Sequence, residues 1–459
     1  MFFRTKINDL LQWAEKPNRK PLIIRGARQV GKTTLVNMFA ERFEQYIYLN
    51  LERPEDRKLF NDTGSSDKII QSIFLAKSKS ITVKKTLIFI DEIQNSSTAM
   101  KMLRYFYEDF PEIYVIAAGS LLESLLDFKE SFPVGRVEYE YLYPFSFEEY
   151  LLAKGKNGLV EALQQVPFTE SLAHLLKEEY SNYALIGGMP EIIKTYVQTN
   201  DLNNLKSIYE SLLVSYLDDV EKYARNQNWS NILKHIIKTS FNEAGSRIKY
   251  EGFGKSHYKN REVKEAFSLL EKTMLLKLMF PTNSTRPPIT MNFGRAPKLH
   301  VLDTGLINYF AGIQKEFVFK NNLEDVYSGR IAEHLVGQEF FALKNSQLNK
   351  PTFWLREKSQ SSAEVDFVYR FEDILIPVEV KSGKSGRLRS LMQFMDAAPH
   401  NVAVRIYSGD LTIEETQTIN GKKFLLLNLP IFLTGKLESY LEWMRNFRNL
   451  EMTYLKSQF

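Results

Sequence analysis

Cysteine is absent from the 459 residues, which excludes disulfides and thiolate metal sites and suits a reducing compartment. Long apolar runs are absent too. None approaches the ~18 residues that a bilayer-spanning helix needs. The opening "MFFRTKINDLLQWAEKPNRK" lacks the continuous apolar core and small-residue cleavage site of a signal peptide. Charge of one sign is scarce: 60 Lys and Arg face 55 Asp and Glu, a net charge of +5. That is too little to argue nucleic-acid binding from the whole chain, so local clustering has to carry any such claim. Internal repeats and low-complexity tracts are missing. What is present, 44% hydrophobic and 25% charged residues, is ordinary globular composition. The length exceeds one typical core, so two to four domains are expected in a soluble, cytoplasmic protein with no membrane partner.

The first 150 residues alternate short apolar runs with helical stretches. "PLIIR" (21–25), "YIYLNL" (46–51), "TLIFI" (86–90), "IYVIAA" (113–118) and "VEYEYLY" (137–143) read as strands. The segments between them suit crossover helices, which argues an α/β class with a parallel, doubly wound sheet. From about 150 to 225 the pattern is helical, punctuated by Gly187, Gly188 and Pro190. Residues 229–310 read as a small helical module followed by two short strands, "LLKLMFP" (275–281) and "KLHVLD" (298–303). A helix at about 328–344 then leads into further strands and a hairpin over 363–383.

"GARQVGKTT" fits the spacing G-x-x-x-x-G-K-[ST] at Gly26, Gly31, Lys32 and Thr33. Such a loop wraps backbone N–H groups of Gly26, Ala27, Arg28, Gln29, Val30, Gly31, Lys32, Thr33 and Thr34 around phosphates, aided by the following helix N-terminus. Lys32 would contact β- and γ-phosphate oxygens of ATP, and the Thr33 hydroxyl would ligate Mg²⁺. The strand before the loop and the amphipathic "TTLVNMFAERF" after it make the motif specific. "TLIFIDEIQ" ends an apolar strand in Asp91 and Glu92. Asp91 would hold the Mg²⁺ shell, and Glu92 would polarise an attacking water. Ser120, ending the strand "IYVIAAGS", would orient the γ-phosphate or water.

These strings come in a particular order. "RGARQVGKTTL", "FIDEIQ", "GSLL", "GRVEYEYLYPFSFEEYL" and "GGMPE", with "KLHVLDTGL" and "VEVKSG" further on, resemble a family of bacterial and archaeal AAA-type ATPases. That family carries a restriction-endonuclease-like domain in its C-terminal half. The resemblance implies an ATPase core over 1–150, a helical lid over 151–225, a winged-helix-like domain over 226–315 and a nuclease-like domain over 316–459. It also implies a homo-oligomer in which Arg136, just before the fifth strand, acts as an arginine finger on a neighbour's nucleotide. Residues 247–264, "RIKYEGFGKSHYKNREVK", hold six Lys and Arg against two Glu and would meet nucleic acid, DNA rather than RNA.

The hairpin "AEVDFVYRFEDILIPVEVKSG" places Glu364, Asp366, Glu379 and Lys381 among β-forming residues. With Glu372 and Asp373 as a two-residue turn, Asp366 would face Glu379 and Glu364 would face Lys381. Period two then puts all four on one side, and Val365, Phe367, Val378 and Val380 on a core side. Two opposed carboxylates repel unless a divalent cation joins them. The pattern resembles the PD-(D/E)-x-K nucleases, which implies Glu333, Asp366 and Glu379 as ligands of Mg²⁺ or Mn²⁺ and Lys381 as the catalytic cation. Pro377 requires this strand to tolerate a gap or lie at an edge. Downstream, Lys384, Arg387 and Arg389 would contact backbone phosphates. The competing reading is an ATP-gated interaction protein whose C-terminal domain docks DNA or a partner without catalysis.

Overall fold

The structure is a computed structural model that describes residues 2–60, 65–119, 133, 135–222, 224–312, 314, 329–343, 351–356, 363–383 and 388–456. The chain divides into two compact units, Met1–Tyr143 with Ser268–Leu275, and Pro144–Phe267 with Leu276–Phe459.

The first unit is built on a parallel sheet of β1 (Leu22–Arg25), β2 (Gln45–Asn50), β3 (Thr86–Asp91), β4 (Tyr114–Gly119) and β5 (Glu138–Tyr141). All five strands fall where the apolar runs place them, in the order β2-β3-β4-β1-β5. A parallel sheet needs cover on both faces, which explains why every residue of β1 and β3 is buried. Ile88 and Ile90 of β3 pack in one cluster with Met102, Leu103 and Phe106 of helix Ser97–Glu108. Because the strands run the same way, the ends of β1, β3 and β4 share one edge of the sheet, where ligands of open α/β sheets sit.

The second unit begins with helices. Helix Phe147–Ala153 starts at a reciprocal cap: the Ser146 hydroxyl accepts from the Glu149 N–H, and the Glu149 carboxylate accepts from the Ser146 N–H. Helices Ala173–Ile186, Pro190–Thr199 and Gln227–Glu243 follow. Helix Asn260–Lys272 leads into β6 (Leu276–Met279), β7 (Pro281–Thr282) and β8 (Lys298–Val301), with β6 and β8 antiparallel.

The largest sheet adds β9 (Thr352–Leu355), β10 (Glu364–Phe371), β11 (Ile374–Val380), β12 (Val402–Tyr407), β13 (Thr412–Gln417) and β14 (Lys423–Pro430). Its order is β13-β14-β12-β11-β10-β9-β7, with β11, β12 and β14 mutually parallel at the centre. Helix Arg389–Ala397 joins Leu391, Phe394 and Met395 to Val365, Val368 and Leu375. Helix Gly329–Leu343 instead brings Phe340 onto Phe367 and Tyr369.

Candidate functional site

The loop after β1 closes tightly. A Cβ on Gly26 would lie 2.6 Å from the Leu142 carbonyl oxygen and 2.9 Å from Val30, so only glycine fits there. Gly31 has φ 94°, the left-handed turn that launches helix Lys32–Ala40. Ala27 and Val30 are buried, Gln29 and Thr34 are exposed, and Arg28 lies between. The Lys32 ammonium, itself buried, donates to the carbonyls of Gly26 (2.8 Å) and Ala27 (3.0 Å). From outside, Arg4 donates to the Val30 carbonyl at 2.9 Å. No sequence motif signals that clamp.

At the end of β3, Asp91 Oδ2 accepts from the Thr33 hydroxyl at 2.7 Å and from the Tyr48 phenol at 3.2 Å. Its Oδ1 accepts from the Glu92 N–H. Burial and the Asp91 carboxylate push the Tyr48 phenol up to about 12, so it stays a donor. Glu92 has left-handed backbone, φ 51°, a strained setting that recurs at working sites. Burial raises its pKa, opposed by the hydrogen bond from Gln94 and the charge of Lys32. A hydroxyl and a carboxylate in contact, beside a lysine folded onto carbonyls, are the hard-oxygen donor set that suits Mg²⁺. Thr33, Asp91, Lys32 and Glu92 are thus brought together, while Ser120 lies outside the described residues. Arg136 is exposed just before β5 and pairs with Glu108 at 3.0 Å.

The C-terminal hairpin keeps its expected register. Five pairs run from Phe367↔Val378 to Phe371↔Ile374 around Glu372 and Asp373, with Glu372 at φ 51°. Of the two accommodations open to Pro377, the strand takes the gap: β11 is flanked by β10 and β12, and the ladder to β12 starts at Val378, just past the missing donor. Two expectations change. Strict alternation fails because a bulge against β9 lies between Val365 and Val368. It turns Phe367 toward Phe340 while Val365 and Val368 stay in the other cluster, the re-aiming that bulges produce. And the face carrying Asp366 and Glu379 is no open carboxylate face, because both residues are buried.

Nor does Glu364 meet Lys381. Lys298 of β8 reaches in, its ammonium 2.7 Å from Glu364, 2.9 Å from Glu333 and 3.6 Å from Asp366. Glu364 also lies 3.6 Å from Arg247. Lys381 turns to Glu379 at 2.7 Å. Asp366 Oδ2 accepts the Val380 N–H at 2.8 Å, which holds the start of β10 to the end of β11. Burial opposes the Lys298 charge, but Glu333, Asp366 and Glu364 together raise its pKa. Burial, then the Asp366 charge, push Glu333 up to about 8 and Glu379 up to about 7. Among the described residues no three His, Asp or Glu side chains are arranged to hold a metal ion. Glu333, Asp366 and Glu379 do not fit Mg²⁺ or Mn²⁺ as they stand, because a lysine already serves as counter-ion to two of them. Lys384 and Arg387 lie outside the described residues.

Comparison with known families matches an AAA domain over residues 18–151, a domain of unknown function (DUF8612) over 177–316 and another (DUF4143) over 328–429. No curated protein matches the chain. Solved structures similar to it include a Walker-type ATPase of Pyrococcus abyssi, at 15% identity and TM-score 0.43, covering 68% of this chain and 96% of that one. Another is the ORC1 protein of Aeropyrum pernix in complex with DNA, at 11% identity and TM-score 0.32, covering 70% and 95%. No helix among the described residues is long and apolar enough to cross a membrane. The match of residues 18–151 to an AAA domain agrees with the parallel sheet and its phosphate loop.

Proposed function

We propose that the first unit binds MgATP and hydrolyses it. The observation that carries this is the 2.7 Å contact between Thr33 and Asp91 beside the buried Lys32. Lys32 exchanges the carbonyls of Gly26 and Ala27 for phosphate oxygens, and the loop N–H groups cradle the phosphates. Thr33 and Asp91 would hold Mg²⁺, which neutralises charge on the β- and γ-phosphates. Glu92 orients the attacking water and accepts its proton; burial makes its carboxylate a better acceptor. Phosphate release with Mg²⁺ tests this. Lys32→Ala and Glu92→Gln are each expected to cut the rate at least about 100-fold, the low end for a general base, and Glu92→Gln should keep ATP binding. Unchanged rates in both variants sink the assignment.

A second reading concerns the other unit. Exposed Lys249, Lys255, Lys259, Arg261 and Lys264 form a basic stretch suited to phosphate backbones. Lys298 favours docking of nucleic acid over metal-dependent cleavage, because it neutralises the carboxylates a metal ion would need. DNA and RNA incubated with Mn²⁺ are expected to bind in a salt-dependent way and stay whole. Cutting that disappears in Asp366→Ala would return the protein to the nuclease class.

A further inference from the structure

Past the end of β3 the chain makes one tight turn, and two polar side chains of that turn meet. Glu92 enters it with left-handed backbone, φ 51°. Its carbonyl accepts from the Asn95 N–H at 3.0 Å, and the Ile93 carbonyl accepts from the Ser96 N–H at 3.1 Å. These bonds close a short 3₁₀ turn over Ile93–Asn95. Ile93 is buried in one cluster with Ile88 and Ile90, so the sheet pins the turn. The Ser96 hydroxyl then caps helix Ser97–Glu108 by accepting from the Ala99 N–H at 3.1 Å. Held at both ends, the turn sets the Gln94 amide against the Glu92 carboxylate: Gln94 Nε2 donates to Glu92 Oε2 at 2.5 Å.

That contact leaves polar groups over. An ionised carboxylate only accepts, so the amide edge that touches Glu92 has to be its N–H side. The Gln94 carbonyl oxygen, Oε1, is therefore turned the other way. It is buried and has no hydrogen-bond partner among the described residues. An ordinary surface amide would keep this oxygen in bulk water, and a native interior seldom leaves one unmet unless a water or ligand reaches it. The second Glu92 oxygen, Oε1, carries no hydrogen bond among the described residues either. One N–H···O bond thus joins the two side chains, and each keeps an acceptor in reserve. Two acceptors match the two hydrogens of one water molecule, whose lone pairs then face away from both.

We propose that Gln94 is a positioning residue for hydrolysis: its N–H fixes the Glu92 carboxylate, and its carbonyl accepts one hydrogen of the attacking water while Glu92 accepts the other. This rests on the reading of Glu92 as the group that takes the proton of the water. In that step the water oxygen bonds to the γ-phosphorus as the bond to the β,γ-bridging oxygen breaks. The electron pair of that bond leaves with ADP, and the proton goes to Glu92, from which it passes to solvent. Gln94 exchanges no proton. It removes the freedom of Glu92 and the water to point elsewhere, the part of a barrier that orientation lowers.

Full-chain variants test it by phosphate release with Mg²⁺, calorimetric ATP binding and melting. Gln94→Met keeps the length of the side chain and loses the amide. It should lower kcat at least about tenfold with KM and ATP affinity unchanged. Gln94→Glu keeps an acceptor but loses the N–H and sets a second carboxylate against the first, so it should be as slow. Gln94→Met combined with Glu92→Gln should be no slower than Glu92→Gln alone, because the two side chains act on one water as a unit. Losses that multiply instead, or a lost rate matched by weaker ATP binding or earlier melting, would make Gln94 merely structural and overturn the proposal. So would a wild-type rate in Gln94→Met beside a slow Glu92→Gln, an outcome that leaves hydrolysis through Glu92 intact. A faster Gln94→Met would mean that the amide restrains Glu92, which overturns it as well. Wild-type rates in both Lys32→Ala and Glu92→Gln remove the hydrolysis itself, and the proposal with it.

Discussion

One ammonium group, on Lys298, stands among Glu333, Glu364 and Asp366, and its removal isolates the reason these carboxylates tolerate burial. Lys298→Met should cost about 3–5 kcal/mol, the usual result of leaving buried charge unpaired. The loss should grow with pH. Glu333 already has a folded pKa raised to about 8. A carboxyl raised in this way gives its stability below its unfolded value and loses it as pH rises through the folded one. Melting at about pH 6 and about pH 9 measures it, and Mn²⁺ added to the variant should recover part of the loss. A variant that melts like the wild type at both values would remove Lys298 from any role as counter-ion. The phosphate loop was legible in the sequence because its parts lie within nine residues, and geometry follows from spacing alone. Lys298 was not, because it lies 35 residues from Glu333, in a strand whose alternation shows only that it faces something. Tyr48 and Arg4 reach Asp91 and Val30 in the same non-local way.

At the scale of elements, "GGMPE" and "LDTGL" prove to be two halves of one junction. Buried Asp303 accepts from the Gly188 N–H at 2.6 Å and the Leu306 N–H at 3.3 Å. A Cβ on Gly188 would stand 2.3 Å from the Phe145 carbonyl oxygen, and one on Gly305 only 2.0 Å from that of Ile186. Turn chemistry makes such glycines visible in a sequence, but not which backbone approaches them. The hairpin register was legible because a two-residue turn fixes it. The bulge was not, since it answers to β9, a strand outside the hairpin.

Beside this junction Glu339 accepts from the Phe147 N–H at 3.0 Å and the Tyr183 hydroxyl at 2.9 Å. Burial pushes it up to about 7 against those hydrogen bonds. Its stabilising contribution is therefore full below the unfolded value near 4.5 and is lost as pH rises through 7. Buried His334, pushed down to about 3 by burial, acts with the opposite sign. Its contribution is present above its ordinary value and fades as pH falls. Glu339→Gln isolates the first term. The variant should gain on the wild type by about 2–3 kcal/mol between about pH 5 and about pH 8. Parallel denaturation midpoints across that range would dismiss the carboxyl as a source of pH dependence.

Across the whole molecule, near-balanced charge gives no single-signed field that would draw copies together or hold them apart at long range. Assembly of copies, if the proposed arginine finger is to work, would then depend on local complementarity, and Arg136 makes that proposal measurable. Its ion pair with Glu108 is exposed, and Glu108 is shared with Arg104 at 2.9 Å. Exposed pairs are weak and screened by solvent, and the proposed role has Arg136 exchange this one for the γ-phosphate of a second copy. An arginine supplied in this way raises phosphoryl transfer by about 10³–10⁵-fold, far more than the pair it breaks. Arg136→Ala should therefore hydrolyse slowly while still binding ATP, and Lys32→Ala should fail to bind ATP while keeping its arginine. Mixed in equal amounts, the two inactive variants should regain activity above the sum of their separate rates. That recovery should increase with total protein concentration, because it needs a mixed interface between copies. If Arg136 serves its own nucleotide, every active site in the mixture still lacks one component, and the rate stays at the sum.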